Sequence, residues 1–408
     1  MLSSKRALEF LQSIDFERTA GSPEEQKAMD LILSALRQAG YDPQVEEFDL
    51  LTFERGDGWI EFEGQRHPAR PFSLTKPFDV EGKIAFVESV KFAREKDVKD
   101  KIVLTYSPIL PKELLKLMSY GAKGFIRISG PMRGISTNHL PYKAVEMGKV
   151  LPAVSISYET GYKLFRSMAK FVRIHGEYKQ KKSIGHNIVA VYGNRRHEIL
   201  VTAHYDTVAF SPGASDNGGG TAVLVELARS LKSLRPSLNR KVRFVWFSGE
   251  ELGLVGSYEY AMKHEDMLGL IDIQINIDVV GDTFGQNRAV ILGNYELKRF
   301  VLKAAKELQM SISASQGIYS SDCIPFGLRG IPSINLARVG GLPSALGHTD
   351  GDRVAWITEK GIEPVLKLAH NLILKFGFAK KMPFKREIPP RIRKKVLEYC
   401  RTKSLRCV

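Results

Sequence analysis

The chain has 408 residues, of which 43% are hydrophobic, so it is long and apolar enough for more than one domain with a core of its own. Its formal net charge is +15, and no stretch approaches the roughly 20 apolar residues that a membrane-spanning helix needs. The first residues lack the apolar core of a secretory signal, and the three cysteines do not form the pattern of a disulfide framework. We therefore expect a cytoplasmic protein without a transmembrane segment, in which a bridge between Cys400 and Cys407 requires an ordered tail.

The beginning of the chain predicts a helix followed by a strand. Ser22-Pro23-Glu24-Glu25 has the residues of a capping box with proline at the first helical position, and the helical periodicity after it ends near Gly40. A strand-like segment follows at Gln44–Leu51. We assign both elements to the first part of the main domain, residues 1–68.

Residues 69–182 have a different pattern and carry no convincing set of metal-binding side chains. Short apolar segments alternate there with a helix that ends at a glycine, which is typical of a small α/β or β-rich domain. Such a domain would either narrow a cleft in the main domain or serve as a structural spacer. The predicted strands are Lys83–Val87, Lys101–Thr105, Phe125–Ile128 and Ala153–Ser157, and the predicted helix is Lys112–Tyr120.

From residue 183 onward, apolar runs end in histidine or in carboxylate residues. The alternation of these runs with helical segments, as far as Gly377, favours a doubly wound α/β fold with a mostly parallel sheet. In open α/β sheets, ligands bind at the carboxyl ends of the strands, so we expect these polar side chains to converge. The runs are Glu198–Ala203 before His204-Tyr205-Asp206, Val242–Phe247 before Ser248-Gly249-Glu250-Glu251, Ile271–Ile277 before Asp278, and Pro332–Ala337, which precedes His348.

The converging side chains are those that bind borderline divalent cations. Imidazole and carboxylate are the usual ligands of such ions, and two-metal hydrolases hold a pair of them roughly 3.5–4 Å apart. Each residue alone has an ordinary structural explanation, such as a helix N-cap at Asp216. Four strand ends of the same kind favour a metal site instead. Glu250 and Asp206 lie at the same strand ends but are not needed as ligands. The predicted ligands are His204, Asp216, Glu251, Asp278 and His348.

These motifs, in this order, resemble those of peptidase family M28, the co-catalytic di-zinc aminopeptidases. The resemblance covers roughly residues 1–65 and 185–378, and it includes Arg18-Thr19-Ala20-Gly21-Ser22 and Ser321-Asp322. Residues 69–182 resemble the protease-associated domain that many members carry as an insertion, notably at Gly121–Ile126 and Leu151–Ser155.

The resemblance implies a zinc-peptidase fold with three parts: a catalytic domain (residues 1–68 and 183–378), an inserted protease-associated-like domain (69–182) and a basic C-terminal extension (379–408). It also implies two Zn²⁺ ions per chain, for which Co²⁺ or Mn²⁺ are candidate substitutes. One ion would be held by His204 and Asp278, the other by Glu251 and His348, with Asp216 as the bridge.

Two further roles are implied by the same family. Glu250 would be the general base that takes a proton from the attacking water. Asp206 would accept the second ring N–H of His204 and so fix its tautomer.

Two positions depart from the family pattern. Many members have a tyrosine before the last metal-binding histidine, where this chain has Gly347. Either a substrate-binding residue elsewhere stabilises the oxyanion, or the transition state relies more on zinc. The second departure is Cys323, at a position that is often histidine, and we interpret it as a small half-buried side chain. The candidates for the oxyanion role are Tyr319, Ser321 and Arg338.

The predicted activity is that of an aminopeptidase acting on peptides. A glutamate-carboxypeptidase-like exopeptidase is the alternative within the fold, and it would need a basic pocket for which Arg338 and Arg329 are candidates. A glutaminyl cyclase would use one zinc ion, whereas this chain keeps both ligand sets. The alternative from another class is a non-catalytic binding protein that uses the fold as a scaffold.

The C-terminal extension, residues 379–408, carries lysine and arginine far in excess of its two acids, Glu387 and Glu398. It is either a solvated segment that packs loosely or a contact for an acidic partner or an anionic surface. No aromatic stacking motif accompanies the charge, so we expect no specific nucleic acid partner. The sequence leaves open whether the chain forms a homo-oligomer.

Overall fold

The structure, a computed structural model, describes residues 2–107 and 111–403. Within these residues no helix is both long enough and apolar enough to cross a membrane. Cys323 is a buried free thiol and Cys400 is also buried, and the conditional bridge from Cys400 to Cys407 involves a residue outside the described part of the chain.

Sixteen strands are present in the described residues, and they form two separate eight-stranded sheets. In chain order they are β1 (Gln44–Glu54), β2 (Gly58–Phe62), β3 (Gln65–Pro68), β4 (Arg70–Pro71), β5 (Phe78–Phe86), β6 (Lys101–Thr105), β7 (Gly124–Ile128), β8 (Ala153–Ile156), β9 (Phe171–Gly176), β10 (Lys179–Tyr192), β11 (Glu198–His204), β12 (Lys241–Phe247), β13 (Ile271–Ile277), β14 (Gln286–Leu292), β15 (Ser313–Gln316) and β16 (Ser333–Val339).

Thirteen α-helices accompany these strands in the same part of the chain. They are α1 (Ser4–Ser13), α2 (Pro23–Gln38), α3 (Glu95–Val98), α4 (Pro111–Ser119), α5 (Tyr142–Glu146), α6 (Tyr158–Ser167), α7 (Gly219–Leu234), α8 (Val255–Lys263), α9 (Tyr295–Glu307), α10 (Cys323–Leu328), α11 (Leu342–Ala345), α12 (Glu359–Phe378) and α13 (Pro390–Lys403). The capping residue predicted for α2 is confirmed, because the Ser22 hydroxyl accepts the backbone N–H of Glu25 at 3.0 Å.

The catalytic sheet has the strand order β1-β10-β12-β11-β13-β16-β14-β15, and its four central strands run parallel. Side chains alternate along β11, so that Ile199 and Val201 face α1, α2, α7 and α12, while Leu200 faces α8 and α10. Because both faces are covered, the central strands are largely apolar. The polar side chains inside them are hydrogen-bonded to one another across the sheet, as in the bonds from Thr202 to Asn276 and from Asn276 to Asn335. This confirms the predicted doubly wound α/β fold.

The inserted sheet has the order β3-β2-β9-β5-β6-β7-β8-β4. It begins at Gly58, so its first strands lie within residues 1–68, which the sequence analysis placed in the catalytic domain. The chain enters and leaves it through β1 and β10, which pair antiparallel from Gln44↔Val189 to Glu54↔Lys179. The change of sheet takes only the three residues 55–57 between β1 and β2, so no long linker in the sequence marks the domain boundary.

The C-terminal extension contains α13, whose inner face is packed. Ile392, Val396 and Cys400 are each at most 1% exposed and join Leu254 and Ile324 in a small apolar cluster. The loosely packed arrangement is therefore wrong for this helix. The burial follows from an apolar residue every fourth position, while basic residues such as Arg393 and Lys394 occupy the exposed side.

Candidate metal centre

The carboxyl ends of three adjacent strands bring the predicted residues together. His204 is the last residue of β11, Asp278 follows β13, and Glu250 and Glu251 follow β12 after a tight turn. The turn requires Gly249, which has a φ of +75°. His348 arrives from the loop after α11, also with positive φ.

Asp216 lies between the two histidines, with one oxygen directed to each. Its Oδ1 is 3.3 Å from His204 Nε2, and its Oδ2 is 3.4 Å from His348 Nε2. Asp278 Oδ1 is 3.5 Å from His204 Nε2, and Glu251 Oε2 is 3.2 Å from His348 Nε2. Two groups of three potential ligands therefore share Asp216. A third combination, His204 with Glu250 and Glu251, is also close enough for an ion.

The burial and charge of these residues fit divalent cations. His204 is 1% exposed and Asp278 3%, and the Glu251 Oε1 atom is buried without a hydrogen-bond partner. Buried carboxylates need compensating positive charge. Burial alone would lower the pKa of His204 and of His348, but the surrounding carboxylates raise both pKa values well above the ordinary range. The site thus favours cations at the positions between these side chains.

Glu250 belongs to neither of the two groups that share Asp216. Burial, reinforced by the charges of Glu251 and Asp322, raises the pKa of its carboxyl well above the ordinary value, although the charge of His204 opposes the shift. A carboxyl whose pKa is raised in this way holds a proton more readily than an ordinary one, which suits a general base that carries a proton between two transfers.

Asp206 connects the histidine to both glutamates. Its Oδ1 is 3.5 Å from His204 Nδ1, which also lies 3.2 Å from its carbonyl oxygen. Its two carboxylate oxygens accept the backbone N–H groups of Glu250 (3.1 Å) and Glu251 (3.2 Å). The contact with the histidine follows from the family resemblance, whereas the second role of Asp206 is visible only in the structure.

Asp352 was also missed, and it holds the bridging segment. It accepts the backbone N–H groups of Ser215 at 2.8 Å and of Asp216 at 3.1 Å, and burial raises its pKa to about 7. Asp350 and Asp352 both follow His348 in the sequence, and only the fold buries the second of them.

Arg18 supports the same region from the beginning of the chain. Its fully buried guanidinium donates to the carbonyl oxygens of Tyr205 at 2.5 Å and of Gly213 at 3.0 Å. These residues flank the His204 and Asp216 segments, so one arginine ties both to the first loop. Burial lowers the pKa of Arg18 to about 10. The family resemblance had indicated Arg18 without a role.

The structure separates the three predicted substrate-binding residues. Tyr319 borders the metal centre, but Ser321 is fully buried and does not line the cavities there. Arg338 is engaged elsewhere, because its guanidinium donates to Asp282 O at 2.7 Å and to Asn287 Oδ1 at 2.9 Å. Of the three predicted residues, the geometry therefore favours Tyr319 as a contact to substrate over Ser321 and Arg338.

Two other predicted residues also differ from expectation. Cys323 is 2% exposed, and therefore fully rather than half buried. Arg329, a candidate for a carboxylate-binding pocket, donates instead to the carbonyl oxygen of Pro325 at 3.0 Å and lines neither cavity at the metal centre.

Two recesses meet at the metal centre. The catalytic recess, of about 280 Å³, contains Glu250 and is also bordered by Tyr142 of the inserted domain and Tyr399 of α13. The arginine recess, of about 490 Å³, is bordered by Arg127, Arg133 and Arg288. The residues common to both are Asp216, Val279, Tyr319 and His348.

Comparisons with known proteins agree with this site. The sequence profile described as Peptidase family M28 matches residues 187–373. Aminopeptidase YwaD of Bacillus subtilis (strain 168) is 31% identical over 337 residues, which cover 78% of this chain and 71% of that protein. The probable lipoprotein aminopeptidase LpqL of Mycobacterium tuberculosis is 27% identical over 287 residues, 65% of this chain and 55% of that protein. The solved structure of BSAP, a zinc aminopeptidase from Bacillus subtilis, superposes with a TM-score of 0.77 and 27% identity over 96% of this chain and 99% of that one.

Proposed function

The chain belongs to peptidase family M28 and is a metal-dependent aminopeptidase; from this premise we propose that two zinc ions at its centre serve to remove N-terminal residues from peptides. The observation that carries the proposal is Asp216, whose two oxygens face two different histidines at 3.3 and 3.4 Å. A carboxylate placed in this way suits a bridge between two ions.

The residues that would hold each ion follow from their proximity. His204 and Asp278 would hold the first ion, Glu251 and His348 the second, and Asp216 both. Imidazole and carboxylate also accept Co²⁺ and Mn²⁺, so these ions are candidate substitutes. When bound, zinc lowers the pKa of a coordinated water towards ~7 and polarises the scissile carbonyl.

Glu250 would move the proton in this reaction. It takes a proton from the attacking water and delivers it to the leaving amine, and the raised pKa of its carboxyl lets it hold the proton in between. Asp206 keeps Glu250 in place through the backbone N–H at 3.1 Å.

Tyr319 would donate a hydrogen bond from its hydroxyl to the oxyanion. It would thereby replace the family tyrosine, whose position is Gly347 in this chain. Burial and the nearby charges of Asp278 and Asp216 raise the pKa of Tyr319 above its ordinary value, so the hydroxyl stays protonated and able to donate. Its position at the border of both recesses supports this assignment.

The alternatives are weaker on the same observations. A non-catalytic binding protein would not need Glu250 beside five potential metal ligands. A cyclase with one zinc ion would not need both of the ligand groups that share Asp216. A carboxypeptidase acting on acidic residues needs a basic pocket. Arg338 and Arg329 do not supply one, but the arginine recess is basic, so this alternative is decided by the choice of substrates in the following experiment.

The deciding experiment titrates chelator-stripped protein with zinc and follows hydrolysis of aminoacyl p-nitroanilides beside N-blocked peptides with acidic C-termini. We expect activity on free N-termini to return with up to two zinc ions per chain, as measured by elemental analysis. Activity on the blocked peptides alone would replace the aminopeptidase by a carboxypeptidase. Zinc binding without either activity would favour the scaffold.

The cellular location is a separate proposal. The buried free thiol of Cys323 supports a cytoplasmic location, because reducing compartments keep thiols unpaired. The relative LpqL carries the description of a lipoprotein, so fractionation of cells with an antibody to this chain is the test.

A further inference from the structure

The arginine recess collects three guanidinium groups beside the metal centre. Arg127 lies in β7 and Arg133 in the loop after it, so both come from the inserted domain, whereas Arg288 comes from β14 of the catalytic sheet. Among the described residues, none of the three has a carboxylate partner within ion-pair distance. This recess is therefore a concentration of positive charge without internal compensation.

The guanidinium of Arg127 has an unsatisfied hydrogen-bond donor. Its Nη1 donates to Asn138 Oδ1, but its Nε is buried and has no hydrogen-bond partner in the structure. Burial and the charge of Arg133 both lower the pKa of Arg127. A buried donor that repels its neighbour is stabilised when an anion binds between the two.

The loop that carries Arg133 is hydrogen-bonded to the segment that carries the candidate metal ligand His348. The backbone N–H of Thr137 donates to the carbonyl oxygen of His348 at 2.8 Å, and its hydroxyl donates to Ala209 O at 2.7 Å. Thr137 follows Arg133 in the same loop, so the loop position depends on the segment that carries His348. Val290 and Ala337 add apolar wall for a short aliphatic stem.

We propose that the arginine recess binds a carboxylate group of the substrate. A substrate held at the metal centre can present such a group from two sources: the side chain of an acidic N-terminal residue, or the C-terminal carboxylate of a very short peptide. Guanidinium binds carboxylate through paired, charge-assisted hydrogen bonds, which gives the recess its selectivity. This inference rests on the proposed function and adds a substrate class to it.

The test reverses the charge of the two exposed arginines and leaves the half-buried Arg127 intact. Arg133→Glu/Arg288→Glu changes the recess, and Arg166→Glu/Arg299→Glu, at exposed positions outside it, is the control with the same change of net charge. We expect the wild type to prefer glutamyl over glutaminyl p-nitroanilide in kcat/KM. In the recess variant this ratio should fall by about 10- to 100-fold, and in the control it should stay unchanged.

The second source is distinguished by substrates that differ at the other end. If the C-terminal carboxylate is bound, the wild type should cleave alanyl-alanine about tenfold better than alanyl-alanine amide, with the recess variant losing the difference. A glutamyl preference without this difference assigns the recess to the side chain. Equal rates on both pairs of substrates would overturn the proposal.

A binding measurement separates this proposal from the activity itself. Calorimetry of the zinc-loaded protein with L-glutamate against L-glutamine, and with glycylglycine against its amide, reports recognition without turnover. Selective binding of a carboxylate by wild type and control, lost in the recess variant, supports the recess even if no peptide is cleaved. Cleavage of neutral substrates with no selective binding would overturn the recess and leave the aminopeptidase intact.

Discussion

The two sheets of this molecule share a design and differ in the residues at the ends of their strands. Each has four parallel, largely apolar central strands. In the catalytic sheet these strands lead into His204, Glu250 and Asp278, whereas β7 and β8 of the inserted sheet lead into Ser129 and Ser157. Parallel strand ends thus create a location for a site, and the side chains placed there decide whether it has chemistry.

The inserted sheet contributes lining residues to the two recesses rather than potential metal ligands. It supplies Arg127 to one recess and, through the segments that follow its strands, His139 and Tyr142 to the other. In the proposed function the catalytic sheet holds the reacting groups in a buried network, and residues of the inserted sheet and its loops line the recesses beside them. Substitutions in the first should lower kcat by orders of magnitude, and those in the walls should change KM and selectivity by smaller factors.

The largest effect is expected for Glu250→Gln, which removes the group that moves the proton and keeps the shape of the side chain. We expect kcat to fall by about 10²- to 10⁴-fold while the zinc content stays unchanged. The measurements are steady-state kinetics and elemental analysis, with the exposed Glu265→Gln as the control. Full activity in the first variant with both ions bound would refute the general base.

The next effect is expected for Asp206→Asn, because an amide cannot accept both the Glu250 and the Glu251 backbone N–H while facing His204. Loss of such a supporting residue costs about 10- to 100-fold in metal affinity or activity. Competition with a chelator measures the affinity, and Asp266→Asn at the surface is the matched control. Unchanged zinc affinity and kcat would show that the carboxylate is dispensable.

A smaller effect is expected in the wall formed by α13. Tyr399 borders the catalytic recess, and its hydroxyl is hydrogen-bonded to that of Ser320. We expect Tyr399→Phe to raise KM by about fivefold, the equivalent of one hydrogen bond, with kcat nearly constant. The opposite result, a lower kcat at constant KM, would place this tyrosine among the reacting groups.

The smallest effect concerns an ion pair of the catalytic domain outside the site. Burial would raise the pKa of Glu46, but the hydrogen bond and charge of His264, together with Lys263, outweigh burial and hold it below the ordinary value. Its contribution to stability is therefore present above the unfolded pKa of about 4.3 and is lost as the pH falls through the lower folded pKa. We expect Glu46→Gln to cost at most about 1 kcal/mol at pH 7, measured by urea unfolding.

At low pH the difference between wild type and Glu46→Gln should disappear, since the carboxylate is protonated in both the folded and the unfolded state. A difference that persisted at pH 2 would mean that shape, rather than charge, is lost in the variant.

The sequence by itself determined the doubly wound fold, the helix cap at Ser22 and the group of polar residues at the strand ends. These features are local: a strand end, a cap or an apolar period involves residues close together in the chain, so their spacing is visible without coordinates. The same locality placed Glu250 next to Glu251 and Asp206 next to His204.

Only the tertiary structure decided which other groups meet these residues. Across long separations in the chain, Asp352 supports Asp216, Arg127 and His348 line the same recess, and Tyr399 borders the catalytic recess. Such contacts leave no periodic pattern in the sequence. The residue type alone also does not distinguish a buried aspartate or arginine from an exposed one. They arise from how whole sheets and helices pack, and that packing is set by the sum of many apolar contacts rather than by any short stretch of sequence.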